Sequence, residues 1–291
     1  MKSISGEMKI AGLFCILLAL SLALPPAFDP VSAQDKLKPE ELVAKHLAAI
    51  GSAEARAKIT SRTASGASKF IFRVGGAANL TGTAMFVSSG AKFRFGMQFP
   101  NPDYTGEDIA FDGNKAAAGL LPQGRRSAIS LFVTQQPMPM KEGLVGGVLS
   151  TAWPLLRMEQ SQPKLEYRGL KKIDGRQLHE LSYRPRKGST DLKTFLYFDP
   201  ETFRHVRTRY QFEIAATVAT REAPNSNPES YFTATEEFDD FRVEDGLMLP
   251  HKYKLQYSSE GRGATALQDW TVTFNSIAHN TKFDDQLFII K

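Results

Sequence analysis

The sequence predicts a β-rich α+β domain built on an antiparallel sheet. Three observations point there. Segments along most of the chain alternate apolar and polar residues with a period of two, turn-forming residues separate many of them, and helical periodicity is confined to residues 39–58 and to a stretch between Arg125 and Arg157. One apolar face and one wet face is the pattern of antiparallel strands, because parallel strands are buried on both faces.

The chain opens with Lys2 and Lys9 and then an apolar run, Ile10 to Leu24, interrupted only by Gly12 and Ser21. That length suits the core of a signal peptide and falls short of the ~20 apolar residues of a membrane-spanning helix. Pro25 and Pro26 break the run, and Val31-Ser32-Ala33 presents the residues a signal peptidase reads. The sequence therefore predicts a signal peptide over 1–33, cleaved after Ala33, and a mature chain from Gln34. Cys15 lies inside the apolar run behind bulky Phe14, which argues against a lipidated cysteine. An uncleaved anchor is the competing reading.

Residues 1–33 carry Lys2, Lys9, Glu7 and Asp29, so the formal net charge of +5 belongs wholly to the mature chain. Such an excess favours solubility and mild attraction to anionic surfaces. No Lys/Arg cluster is interleaved with aromatics as a nucleic-acid platform requires, so no nucleic-acid partner is expected. The single cysteine leaves with the signal, and the mature chain forms no internal disulfide. Residues 34–291 suit one large β-rich domain or two small ones.

In order along the chain, Pro39 sits where a first-turn proline belongs and Glu40 and Glu41 complement a helix N-terminus. Leu42, Val43, His46, Leu47 and Ile50 recur at helical spacing up to Gly51, and Ser52 caps a second short helix through Lys58. The period then becomes two. Phe70, Phe72 and Val74 share a face, as do Phe93, Phe95, Met97 and Phe99. The rows of Tyr210, Phe212 and Ile214, of Tyr253, Leu255 and Tyr257, and of Trp270, Val272 and Phe274 repeat the pattern, the third-last beginning at Val206. Further strands are expected near 80–88, 104–111, 115–121, 165–169, 176–184, 191–198 and 231–243, with turns at Asp112-Gly113, Asp174-Gly175 and Asp245-Gly246. Between Arg125 and Arg157 the spacing predicts two helices, 127–136 and 141–152, separated by Pro137-Met138-Pro139; Gly143 and Gly147 stand at the spacing of a small-residue helix contact.

Catalytic motifs are missing. The chain has no HExxH, Gly-rich phosphate loop, GxSxG or cysteine pair, and its five histidines lack metal-ligand spacing. No catalytic residue, metal or cofactor is expected. Glu236, Glu237, Asp239 and Asp240 offer paired carboxylates for a hydrolase or a cation, but read as a solvated strand end, since surface charge needs no function.

Several strings carry a resemblance. They are Glu41 to Gly51 with Ile59 and Gly66, Tyr197-Phe198-Asp199-Pro200-Glu201-Thr202, Phe238-Asp239-Asp240-Phe241, Asp245 to Pro250, and Phe283 to Phe288. Over most of its mature length the chain resembles the outer-membrane lipoprotein-sorting family, the LolA-like lipoprotein carriers. The resemblance implies a single domain over 34–291, folded as a curved, incompletely closed antiparallel β-barrel with helices covering the concave face. It implies binding of acylated lipoprotein or another lipid between the two, in the periplasm, by a monomer that meets inner- and outer-membrane release and acceptor proteins.

On that reading the candidate lining is Phe70, Phe72, Phe93, Phe95, Met97, Phe99, Tyr210, Phe212 and Trp270. The candidate lid is Leu144, Val145, Val148, Leu149 and Trp153, within a Gly-rich segment flanked by prolines. Aromatics and methionine tolerate irregular chain packing. A periplasmic lipid-responsive sensor or interaction module with the same fold is the alternative, and a filled core would give the same pattern as a cavity.

Overall fold

The computed structural model describes residues 37–74, 78–188, 190–216, 229–261 and 264–290. The predicted signal peptide lies outside the described residues.

Two short helices open the described chain, α1 (Pro39–Ile50) and α2 (Ala53–Ala57). Pro39 occupies the first turn of α1, and the helix buries Leu42, Val43, His46 and Ile50 along one stripe. The Ser52 hydroxyl caps α2 by accepting from the Ala55 N–H. Five strands follow: β1 (Ser61–Val74), β2 (Ala78–Ser89), β3 (Lys92–Gln98), β4 (Gly106–Phe111) and β5 (Ala116–Ala118). Then come α3 (Ala128–Gln135), α4 (Met138–Lys141) and α5 (Met158–Ser161). The last seven strands are β6 (Lys164–Ile173), β7 (Arg176–Arg184), β8 (Lys193–Phe198), β9 (His205–Ile214), β10 (Ser230–Glu244), β11 (Leu247–Gly261) and β12 (Ala264–His279).

All twelve strands form one antiparallel sheet in the order β5-β4-β3-β2-β1-β12-β11-β10-β9-β8-β7-β6. It is open: β5 and β6 are its two edges, while β1 and β12 pair at its middle, Phe70 opposite Trp270. From β1 the strands thus run from mid-sheet out to one edge, cross to the other, and return to the middle. Every pair of consecutive strands is adjacent except β5 and β6. The segment between them joins the two free edges, and it does so across one face of the curved sheet. We call residues 127–161 of this segment the strap.

The alternating rows orient the sheet. Phe93, Phe95 and Met97 are buried on the strap side while Lys92, Arg94 and Gln98 face away, and Tyr253, Leu255 and Tyr257 repeat this on β11. Inner-face and strap side chains form one continuous apolar core. At ~25 cal/mol per Å² of apolar surface, this face is the main source of stability.

Three sequence expectations are corrected. Residues 141–152 do not form a helix: the chain turns at Gly143, Gly146 and Gly147, all with positive φ, leaving only a single 3-10 turn over Gly147–Leu149. Pro137-Met138-Pro139 opens the short α4 instead of only separating two helices. Val206 does not join the inner row of β9. A register shift at Tyr197/Phe198 turns His205 inward and sends Val206 to a small outer cluster with Leu178 and Tyr197.

Candidate functional site

The strap is held to the sheet by backbone contact and by a series of buried polar fastenings. Gly146 lies so close to the ring of Phe86 that a Cβ there would stand 2.5 Å from it, and one on Gly147 would meet His205 Nδ1 at 2.8 Å and Phe238 at 2.9 Å. Both residues have left-handed φ, +79° and +49°. These glycines let the strap rest its main chain flat on the aromatic floor. The expected helix contact of Gly143 and Gly147 is not formed, because both lie in turns with positive φ, +72° and +49°.

Fastening begins at α3. The Glu107 carboxylate of β4 accepts from the hydroxyls of Ser127 at 2.6 Å, Ser130 at 2.9 Å and Tyr104 at 2.6 Å, and the Tyr104 oxygen in turn accepts from Trp270 Nε1 at 2.6 Å. Burial raises the Glu107 pKa against these three donors. Further along, the Tyr183 hydroxyl donates to Glu142 at 2.6 Å.

At the centre of the strap the Gly146 N–H donates to Glu236 Oε1 at 2.7 Å. The same carboxylate accepts from Tyr210 at 2.7 Å and Tyr253 at 2.9 Å, and among the described residues no cation pairs with it. Burial pushes its pKa up to about 7, and the three donors pull the other way. Glu236 is 1% exposed, so the reading of 236–240 as a solvated strand end fails at this residue. Its neighbours obey that reading better: Glu237 meets Arg207 and Lys254, and Asp240 pairs with Arg242.

Three fastenings complete the strap. The buried Arg62 guanidinium donates to Val148 O, and burial lowers its pKa to about 10. The Thr151 N–H donates to Ser88 Oγ at 3.0 Å. Trp153 Nε1 donates to His46 Nε2 at 3.1 Å, while His46 Nδ1 lies 3.1 Å from Phe203 O. An imidazole that accepts at Nε2 and donates at Nδ1 is neutral, and burial accordingly lowers the His46 pKa to about 4. Trp153 also stacks on His205 at 4.6 Å.

The nine candidate lining residues fall into three groups on the inner face. Phe70, Phe72, Phe99 and Trp270 group around Tyr104, with the Phe70 ring centroid 4.4 Å from Tyr104, 5.3 Å from Trp270 and 6.5 Å from Phe72. Phe93 and Phe95 pack on Phe86, with Met97 next in the same strand. Tyr210 reaches Glu236, and Phe212 packs on Phe232 towards the sheet end. Phe72 and Phe212 are half-buried and the other seven are buried. Of the candidate lid, Leu144, Val148, Leu149 and Trp153 are buried against the core, and Val145 is partly so.

Open space flanks the strap. A cavity of about 800 Å³ near the start of α3 is lined mainly from the outer face, by Thr83, Met85, Arg94, Gln98 and Asp108, and reaches Glu107 and Ser127 only at its edge. It is not a space between strap and inner face. A second, of about 320 Å³, lies between Val148, Ile50 and Leu247.

Phe86, Phe238, His205 and Glu107 were not among the site residues expected from the sequence, and Glu236 was singled out only as part of an acidic run read as solvated. For Glu236 the signal was present, because it shares parity with inward Phe238. Among the described residues no group of three His, Cys, Asp or Glu side chains is placed to hold a metal, and no helix is long and apolar enough to cross a membrane.

No family model and no curated protein matches the chain. Its structure is similar to a number of solved ones, among them the following three. A domain described as an outer membrane lipoprotein-sorting protein from Vibrio parahaemolyticus has 12% identity and a TM-score of 0.45, over 86% of this chain and 97% of that one. A LolA superfamily protein from Nitrosomonas europaea has 11% identity and a TM-score of 0.44, over 87% and 97%. A DUF1329 family protein from Desulfovibrio piger has 11% identity and a TM-score of 0.43, over 86% and 97%.

Proposed function

We propose that this chain is an exported, non-enzymatic carrier that shields the acyl chains of a lipoprotein or related lipid between the inner face of its sheet and the strap. In this reading residues 1–33 direct export and are removed. The mature domain works as a monomer in the periplasm, receiving its cargo from an inner-membrane protein and passing it to an outer-membrane acceptor during lipoprotein sorting.

One observation carries the reading. A largely apolar face, interrupted by Glu107 and Glu236, is covered by a single segment that joins the sheet's two edges. That segment packs on the face through Leu144, Val148, Leu149 and Trp153 and is fastened at intervals by separable polar contacts. A cover built as one long helix would leave only as a unit. A strap of short helices and glycine turns is able to lift in part. An acyl chain of about fifteen methylenes gains roughly 12 kcal/mol on leaving water. Against this stand the fastenings, at about 1 kcal/mol each, and the buried strap side chains Leu144, Val148, Leu149 and Trp153, at about 1.5–3 kcal/mol each if exposed. The bound chain therefore has to cover those side chains in place of the sheet.

The test is native mass spectrometry of protein purified from an exporting host, together with uptake of a fluorescent acylated peptide. Co-purified lipid and saturable uptake are expected, with uptake reduced by Phe95→Asp on the inner face and unchanged by Lys69→Asp, which is exposed on β1. No lipid and no uptake would rule the carrier out, and equal effects of the two substitutions would show that the inner face is not the site.

A further inference from the structure

Many cations on the outer surface of the sheet have counter-ions, as with Arg73 and Asp269, Arg94 and Asp108, and Arg207 with Asp174 and Glu237. One cluster differs. Lys141 and Arg157 of the strap face Arg186 and Lys187 of the β7–β8 connection across a cleft of about 380 Å³. Among the described residues, none of these four side chains takes part in an ion pair, a hydrogen bond or a cation–π contact. The one carboxylate in the cleft, Glu142, is engaged by the Tyr183 hydroxyl.

Four like charges around one opening repel each other and attract an anion. Guanidinium groups grip phosphate through paired N–H donors and lysines add point charge. The inner wall of the cleft includes Phe111, whose ring lies 6.5 Å from that of Phe93. Phe111 therefore separates the cationic cleft from the apolar face that the carrier reading assigns to acyl chains, and the cleft borders that face. A polar anchor next to an apolar bed is the geometry an amphiphile needs.

We propose that this cleft binds the phosphate group of an anionic amphiphile whose acyl chain passes Phe111 onto the inner face; the amphiphile part rests on the carrier reading. The phosphate sits at the strap's rim, held between strap and β7–β8 connection, so that binding of the head group bridges the two.

The test compares binding of phosphatidylglycerol and of diacylglycerol with the same chains to the purified protein, and adds calorimetry with inorganic phosphate. The wild type is expected to prefer phosphatidylglycerol by about tenfold, the effect of one well-made charge-assisted contact, and less so at high salt. The exposed-residue variant K141Q/R186Q/K187Q, with circular dichroism to confirm folding, is expected to lose that preference while binding diacylglycerol as before. Equal binding of the two lipids by wild type, or an unchanged preference in the variant, overturns the phosphate site and leaves the carrier standing. Binding of inorganic phosphate without either lipid overturns the carrier and the amphiphile together and makes free phosphate the ligand. Binding of none of the three overturns both readings.

Discussion

Glu236 on the sheet accepts a hydrogen bond of 2.7 Å from the backbone N–H of Gly146 at the centre of the strap. The carboxylate is buried and pairs with no cation among the described residues, so its charged form is costly and its pKa is pushed up to about 7. This one contact joins the electrostatics of the core to the attachment of the cover.

The first prediction concerns pH. Because the folded pKa of Glu236 lies above its ordinary value of 4.5, the folded protein holds the extra proton. Its stabilising effect is complete below pH 4.5 and is lost as pH rises through about 7. Glu236→Gln, which stays neutral, should gain on wild type over that window and level off above it, by at most on the order of 3 kcal/mol. Denaturation curves of both proteins between pH 4 and 9 measure the difference. His46 slopes the other way, losing stability as pH falls from 6.5 through about 4, in both proteins alike.

A second prediction separates strain from collision. Gly146 and Gly175 have nearly the same φ, +79° and +83°, but a Cβ on Gly146 strikes Phe86 whereas one on Gly175 meets nothing within 4 Å. Gly175→Ala should cost about 1 kcal/mol from backbone strain alone. Gly146→Ala should cost about 1–3 kcal/mol more from overpacking, with amide exchange accelerated over residues 143–153. Equal costs would mean that the strap does not lie on Phe86 as described.

Third, Trp153→Phe keeps the apolar bulk against His205 but removes the donor to His46 Nε2. The stranded acceptor should cost about 1–3 kcal/mol. Protonation of the freed nitrogen should then move the acid side of the stability profile to higher pH. A profile unchanged in shape would show that the indole does not set the state of His46.

The sequence exposed the sheet far better than the strap. Rows such as Phe93, Phe95 and Met97 are legible because a strand's period of two depends only on neighbours in the chain. The strap's turns depend on what lies beneath them. Gly143 and Gly147 are spaced as in a helix, yet their positive φ answers to Ala152, His205 and Phe238, which sequence spacing does not reveal. Glu236 was hidden for a similar reason. Parity places it inward with Phe238, but its donors come from positions 26, 17 and 90 residues away. His46 was legible as part of an apolar helix stripe, whereas its partners Trp153 and Phe203 lie 107 and 157 residues on.

The central claim is that the strap must part from the sheet for an acyl chain to enter. Thr151 on the strap donates its N–H to Ser88 on β2 at 3.0 Å, and the chain's sole cysteine is Cys15. A disulfide in Ser88→Cys/Thr151→Cys, its formation verified by mass, would pin the strap at that point. The decisive measurement is uptake of a fluorescent acylated peptide by this variant, oxidised and then reduced. The account predicts that uptake is abolished in the oxidised protein and restored to the wild-type level on reduction. Uptake by the oxidised protein at the wild-type rate and extent would contradict it.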